Sequence, residues 1–211
     1  MDTKVNEDTE PMDNTDCFDV PPNPLPEEKR TRDPYLVPNG QDTGKFTFSL
    51  RKAKISDVRD ILDLVNGFAG QNLMLARGPQ YIFENIRDFV VAIADEPDAD
   101  STGASGIPAG GIIACASLHV LWEDVAEIRS TAIHPDCQNM GLGKKLIEFL
   151  KTDGKRLGIN TLFTFTLAED FFAALGFVRK KRESLPSKVW GECSRCPKFF
   201  KCDEVGMILE I

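Results

Sequence analysis

The chain has 211 residues, of which 42% are hydrophobic and 27% charged, and this length and composition favour one packed domain over two. Its 33 acidic and 25 basic residues give a formal net charge of -8, which argues against a duplex-binding protein, so no nucleic-acid partner is expected. The sequence contains no apolar run of about 18 residues and no basic or apolar N-terminal segment. It therefore predicts no membrane span, no secretory signal and a cytoplasmic location, where its six cysteines are reduced.

The first 45 residues differ in composition from the rest of the chain. They hold 7 of the 13 prolines and 11 acidic against 5 basic residues. A segment of this kind buries too little apolar surface to offset its chain entropy. We therefore expect a disordered, acidic, Pro-rich tail over residues 1–45, with a specific docking element as the alternative, and a single folded domain over residues 46–211.

The predicted elements of that domain begin with a strand and two helices. Residues 46–50 alternate apolar and polar side chains as a strand does, and Ser56 with Asp57 predicts an N-cap for a helix over residues 58–68. A second helix is predicted over residues 79–87, because Pro79 is tolerated in a first helical turn. The apolar run that follows, residues 89–93, is the second predicted strand.

The remaining elements complete an α/β pattern. A turn-rich loop over residues 95–108 precedes two β-rich runs that are typical of an antiparallel pair, and a helix with apolar residues at helical spacing follows them. This order predicts a mixed sheet in an α/β fold. The later predicted elements are strands over 111–120, 125–133, 161–167, 177–178 and 205–211 and helices over 141–157 and 169–175.

The segment over residues 133–144 carries the strongest chemical signal. It joins a predicted strand to a predicted helix, and Gly141 and Gly143 let backbone N–H groups approach a ligand closely. The helix N-terminus beyond them favours an anion such as a pyrophosphate. A tight strand-to-helix turn without a ligand is the alternative.

A wider pattern surrounds these glycines. The spacing Gln138-x-x-Gly141-x-Gly143, preceded by AEIRSTAIHP over residues 126–135 and followed by FFAALGF over residues 171–177, resembles the GNAT N-acetyltransferase superfamily over about residues 46–211. The resemblance implies the acyl-CoA N-acyltransferase fold and acetyl-CoA as co-substrate. It also implies a set of acetyl-CoA-binding residues, which are Ala132, Ile133, His134, Gln138, Asn139, Met140, Gly141, Leu142, Gly143 and Lys144.

Further details resemble the short N-acetylglutamate synthases within that superfamily. They are AEIRS over residues 126–130, Arg77 in a Leu-x-Arg stretch, the Phe171-Phe172 pair, and LPSKVW over residues 185–190 with its cysteine-rich sequel. This resemblance implies transfer of acetyl from acetyl-CoA to the α-amino group of L-glutamate, in arginine biosynthesis. Another amino acid or a protein amine as acceptor, and a non-catalytic acyl-CoA sensor, are the alternatives. Whether the chain forms a homodimer is left open.

The implied reaction assigns roles to individual side chains. Glu127 lies among apolar strand neighbours, where partial burial would make it a useful base; an ion pair with Arg129 is the alternative. Acceptor carboxylates require cations, for which Arg77, Arg129 and Lys188 are the candidates, with ordinary surface charges as the alternative. Many relatives place a tyrosine acid where this sequence has Phe172, so the general acid is unassigned.

Three cysteines near the C-terminus form the remaining cluster. Cys193, Cys196 and Cys202 include one C-x-x-C spacing, but a full zinc site usually has four ligands and no second such pair follows. Free thiols in a family-specific loop are therefore expected, with zinc or a redox pair as alternatives.

Overall fold

A computed structural model of the protein describes residues 37–42, 47–95, 110–181, 190–194, 196 and 198–211. Within them, eight strands form one sheet and five α-helices flank or follow it. The strands are β1 (Val37–Asp42), β2 (Thr47–Lys52), β3 (Phe89–Ala94), β4 (Ile112–Val120), β5 (Val125–Ile133), β6 (Thr161–Thr166), β7 (Val178–Lys180) and β8 (Val205–Glu210). The helices are α1 (Val58–Ala69), α2 (Pro79–Glu84), α3 (Leu142–Arg156), α4 (Glu169–Ala174) and α5 (Trp190–Cys193).

The sheet has the order β1-β2-β3-β4-β5-β6-β8-β7. All neighbouring strands are antiparallel except β5 and β6, which are parallel and are joined through α3. A parallel pair needs such a crossover, and a helix is its usual form. The predicted α/β fold with a mixed sheet is confirmed.

Helices cover both faces of the sheet. On one face α3 buries apolar residues three and four positions apart, and these side chains pack against alternate residues of β4 and β5 such as Leu118 and Ile128. On the other face α1 and α2 pack against Phe89, Val91 and Cys115. The core-facing residues of α3 are Leu142, Leu146, Ile147 and Leu150.

The structure corrects three details of the predicted elements. Asp57 stands at the N-cap position of α1, but its carboxylate accepts from the Arg51 guanidinium (2.5 and 2.9 Å) and from the Lys54 N–H (2.7 Å), not from α1. The charged partner offers a stronger bond than a helix N–H does. The second helix ends at Glu84, and a separate 3-10 turn, Ile86–Asp88, leads into β3.

The third correction concerns the N-terminal tail. Strand β1 lies within the segment predicted as disordered, and it pairs with β2 in antiparallel register. This pairing covers backbone groups of β2 that would otherwise form an open sheet edge. The prediction of disorder is therefore wrong for these six residues, whereas residues 1–36 and 43–45 lie outside the described part of the chain. The site candidate Lys188 also lies outside it.

No helix in the described ranges is both long and apolar enough to span a bilayer.

Candidate functional site

A cavity of about 780 Å³ opens where β5 and β6 separate. The two strands pair only between Val125–Glu127 and Thr161–Phe163, although β5 continues to Ile133 and β6 to Thr166. Beyond the last pair, the inner edges of both strands border the cavity. The divergence of this parallel pair thus creates a slot through the sheet, whose two walls are the facing edges of β5 and β6.

An irregularity in β5 shapes this slot. Ser130 has a φ of +50°, and the register with β4 shifts between Cys115 and Ser117. A positive φ is uncommon for serine, and together with the shift it marks a β-bulge. The Ser117 hydroxyl donates to the Arg129 carbonyl (3.2 Å) beside the bulge, and Ser130 and Thr131 border the cavity. The sequence predicted a continuous strand over residues 125–133 and did not predict this β-bulge.

The loop before α3 forms one end of the cavity. Gly141 is the N-cap residue with a φ of +82°, a conformation that glycine adopts without strain. Its carbonyl accepts from the Lys145 N–H (3.1 Å). The first helical N–H groups, on Leu142, Gly143 and Lys144, have no acceptor within the helix and carry the positive end of its dipole. This end of the cavity therefore suits an anion.

Gly143 also leaves space for two neighbouring side chains. A Cβ at this position would lie 2.9 Å from the Phe171 ring and 3.0 Å from the Ile133 side chain. Phe171 borders the cavity and packs edge-to-face on Phe172, with ring centroids 5.0 Å apart. Gly143 thus lets α4 approach α3 closely, in addition to the ligand access expected from the sequence. Phe172 is buried in the core and has no ionisable group.

The predicted acetyl-CoA-binding residues divide into two groups. Ala132, His134 and Met140 do not border the cavity: Ala132 is buried on the α1 side of the sheet, the His134 ring accepts from the Asp136 N–H (3.4 Å), and Met140 packs on the core. The other seven border it, and they are Ile133, Gln138, Asn139, Gly141, Leu142, Gly143 and Lys144.

Glu127 and Arg129 form a buried ion pair at the inner end of the slot. Arg129 contacts Glu127 Oε2 through Nε (2.6 Å) and through Nη2 (2.5 Å), and each residue is only 7% exposed. Both border the cavity. The ion pair considered from the sequence is therefore present, and a guanidinium at this distance stabilises the ionised carboxylate. Losing either partner would leave an uncompensated charge in the interior.

The third predicted side chain, Arg77, reaches the same cavity from another direction. It lies on the connector between α1 and α2, which contributes Leu73, Met74 and Leu75 to the cavity wall. The structure thus brings Arg77, Glu127 and Arg129 to one cavity although 50 residues separate the first two.

The cysteine-bearing segment forms a wall that sequence reasoning did not place here. Cys193, Cys196 and Cys202 border the cavity. The Lys198 N–H donates to Cys196 Sγ (3.4 Å), and Lys198 Nζ donates to the carbonyl of Asn72 (3.3 Å), which ties this segment to the α1–α2 connector. In the part of the chain that is described, no three His, Cys, Asp or Glu side chains are arranged to hold a metal ion, so zinc gains no support.

Two further thiols are buried near the slot. Burial raises the pKa of Cys115 to about 12 and the pKa of Cys137 to about 11, and the nearby Asp136 carboxylate adds to the second shift. Cys137 borders the cavity. Both groups are therefore neutral thiols near pH 7, without nucleophilic character.

Sequence reasoning missed several residues that border the cavity. They include residues 164–168, of which 164–167 were predicted only as part of a strand and Ala168 was assigned to no element. Phe68 on α1 and Glu204 before β8 also border it, and no local motif distinguishes either of them. The one usable signal was the rule that ligands bind beyond the carboxyl ends of parallel strands, which applies to β5 and β6.

Comparisons with known proteins agree with the fold and identify the family. The model of the acetyltransferase (GNAT) family matches residues 75–181. An uncharacterised N-acetyltransferase of Chlorobaculum tepidum is 33% identical over 159 residues, which are 75% of this chain and 94% of that protein. An amino-acid acetyltransferase of Mycobacterium tuberculosis is 30% identical over 146 residues, 69% of this chain and 77% of that protein. The crystal structure of Rv2747 from Mycobacterium tuberculosis, in complex with CoA and NLQ, has a TM-score of 0.60 at 27% identity, covering 77% of this chain and 98% of that one.

Proposed function

The chain belongs to the acetyltransferase (GNAT) family, and from this premise we propose that it transfers the acetyl group of acetyl-CoA to the α-amino group of L-glutamate, in arginine biosynthesis. The observation that carries the proposal is the composition of the cavity. Its wall includes helix N–H donors that suit an anion, and it also includes one carboxylate and two guanidinium groups. An enzyme that transfers acetyl from a diphosphate-containing thioester to an amino dicarboxylate needs both sets of groups in one cavity.

Acetyl-CoA occupies the end at α3 in this proposal. Its diphosphate accepts from the N–H groups of the loop and first helical turn, including those of Gly141 and Gly143. The pantetheine arm runs along the slot between β5 and β6, which opens where the register of the two strands ends at Glu127 and Phe163. This placement leads the thioester toward the bulge at Ser130 and the inner end of the slot.

Glutamate occupies the inner end. Its amino group must lose a proton before it attacks the thioester carbonyl, and Glu127 is the carboxylate that we assign as base. Arg129 holds that carboxylate in place, and Arg77 is the guanidinium that we assign to an acceptor carboxylate. Since Phe172 cannot donate a proton, the departing CoA thiolate takes its proton from water.

One comparison supports the choice of an amino acid as acceptor, because the similar protein of Mycobacterium tuberculosis is named an amino-acid acetyltransferase. The similar crystal structure of Rv2747 contains CoA, which supports the co-substrate. A small-molecule biosynthetic role also agrees with the cytoplasmic location predicted from the sequence.

An acceptor screen tests the proposal. The full chain is incubated with acetyl-CoA and each of the twenty amino acids in turn, release of the CoA thiol is measured against a blank without acceptor, and products are identified by mass spectrometry. We expect L-glutamate to give the highest kcat/KM and N-acetylglutamate as product. Preference for another amine would replace the acceptor, and binding of acetyl-CoA without thiol release to any amine would indicate a sensor instead.

A further inference from the structure

Arg77 lies on the connector between α1 and α2, which has no regular secondary structure. The nine residues between α1 and α2, residues 70–78, contain no helix or strand. Connectors of this kind are more mobile than the elements they join. A guanidinium that binds a carboxylate must nevertheless keep a fixed orientation, because two parallel N–H···O bonds have strict geometry.

Asn66 fixes the backbone of Arg77. Its Oδ1 accepts from the Arg77 N–H (2.9 Å), and its Nδ2 donates to the Arg77 carbonyl (3.0 Å). Asn66 lies on α1, 11 residues earlier in the chain. One rigid helix therefore satisfies both backbone polar groups of a single connector residue, which sets the direction in which the Arg77 side chain leaves the chain.

Tyr81 fixes the other end of the side chain. The Arg77 guanidinium lies over the Tyr81 ring, 4.0 Å from its centroid. Tyr81 belongs to α2 and packs against the core on the α1 side of the sheet, so the ring is itself held. This distance is that of a cation–π contact, which restrains the position of the guanidinium above the ring.

We infer that Asn66 and Tyr81 are positioning residues that preorganise Arg77 as the anchor for a carboxylate of the acceptor. The inference rests on the proposed function, since it takes the acceptor to be an amino acid with a carboxylate at this end of the cavity. Holding the guanidinium in its binding orientation avoids an entropy cost on association. The two residues therefore act on acceptor affinity through Arg77 and touch neither substrate.

Steady-state kinetics with four variants tests the inference. Asn66→Leu removes both hydrogen bonds at similar size, and Tyr81→Leu removes the ring. Both leucine variants should raise the KM for glutamate about tenfold, the effect of losing a contact worth roughly 1.4 kcal/mol. Their kcat and their KM for acetyl-CoA should stay within about twofold of the parent values. Tyr81→Phe keeps the ring and should restore the parent values. Gln71→Ala is the matched control, because the Gln71 amide also bonds a backbone carbonyl near this connector (Gly67, 3.2 Å) but is exposed and outside the cavity wall.

The same variants in an Arg77→Ala background show whether Asn66 and Tyr81 change the KM for glutamate through Arg77. If Asn66 and Tyr81 act through Arg77, then Asn66→Leu and Tyr81→Leu should leave the glutamate KM of Arg77→Ala almost unchanged. Additive losses, equal losses in both KM values, or parent kinetics in both leucine variants would overturn the inference. The Tyr81 pair decides the outcome if Asn66→Leu does not fold. A parent enzyme that turns over acetyl-CoA with other amines but not with glutamate would instead overturn the proposed function.

Discussion

The two ends of the cavity are built in different ways. The end at α3 comes from one contiguous segment, residues 138–144, and its donors are backbone N–H groups at a helix terminus. The inner end is assembled from side chains on β5, on the α1–α2 connector and on the C-terminal segment around Cys196. The first end depends on backbone conformation and glycine spacing, whereas the second depends on tertiary packing between distant parts of the chain.

In the proposed reaction the end at α3 binds acetyl-CoA and the inner end binds the acceptor. A diphosphate is common to every CoA thioester, and backbone donors suffice to hold it. A carboxylate of the acceptor is recognised well by arginine side chains, because a guanidinium offers two parallel N–H donors. Substitutions at one end should therefore change the kinetics of one substrate, and the following predictions test that separation.

The largest effect is expected at Glu127. Glu127→Gln keeps the shape of the side chain but removes the base and the charge that Arg129 contacts. Turnover should fall by about 10² to 10⁴, the range for positioned general bases, and should recover partly at high pH, where solvent deprotonates the amine. The acetyl-CoA KM should stay near the parent value.

Glu123→Gln, an exposed change in the same β4–β5 hairpin, serves as the control for that experiment. Parent turnover with the parent pH profile in Glu127→Gln would make Glu127 a purely structural partner of Arg129.

The second effect concerns Arg77. Arg77→Ala removes a charge-assisted contact and should raise the glutamate KM by about 10- to 100-fold with little change in the acetyl-CoA KM. Comparison with glutamine locates the contact: loss of a side-chain carboxylate contact narrows the difference between the two amino acids, whereas loss of an α-carboxylate contact weakens both equally. Arg87→Ala, which changes an exposed residue on the turn after α2, should behave like the parent. An equal rise in both KM values of Arg77→Ala would indicate damage to the fold instead.

At the other end, Gly143→Val should weaken acetyl-CoA binding and also lower stability. The new Cβ would lie 2.9 Å from the Phe171 ring, and overpacking of this kind costs about 1–3 kcal/mol. Calorimetric titration with acetyl-CoA and thermal denaturation measure the two effects. Gly143→Val combined with Phe171→Leu should recover part of the stability, because the smaller side chain vacates the space. A single variant as stable as the parent would contradict the packing described for α3 and α4.

The last prediction concerns the buried thiols, for which we expect almost no reaction with an alkylating reagent. Because burial raises the pKa of Cys137 to about 11 and of Cys115 to about 12, their thiolate fractions stay negligible until the pH approaches those values. At pH 7 iodoacetamide should therefore label neither residue in the time that it labels the more exposed Cys202. Peptide mass spectrometry reads each site separately. Rapid labelling of Cys137 in the native chain would contradict the burial of its side chain.

The backbone elements at the α3 end were predictable from local sequence, whereas the packing that forms the inner end was not. Strand, glycine spacing and helix start are local features, and they located residues 138–144 together with α3. The positive φ of Ser130 and the antiparallel pairing of β1 arise from tertiary contacts that no local pattern records. The same is true of the cysteine-bearing wall, whose position beside Asn72 depends on contacts across 126 residues of chain.

Asp57 shows how a correct local pattern can still mislead. Its position before α1 fits an N-cap, and the helix does begin there. The Arg51 guanidinium competes for the same carboxylate and forms the stronger, charge-assisted bonds. The helix boundary was therefore predictable, but the partner of the side chain was not.

The most direct test of the separation between the two ends is a paired measurement of both KM values in Gly141→Ala and Arg77→Ala. Alanine at position 141 must adopt a φ near +82°, which costs it about 1–2 kcal/mol and disturbs only the backbone donors. Gly141→Ala should raise the KM for acetyl-CoA and spare that for glutamate, and Arg77→Ala should do the reverse. A rise of both KM values in either variant, or an exchange of the two effects, would contradict the account of one cavity with two separately built ends.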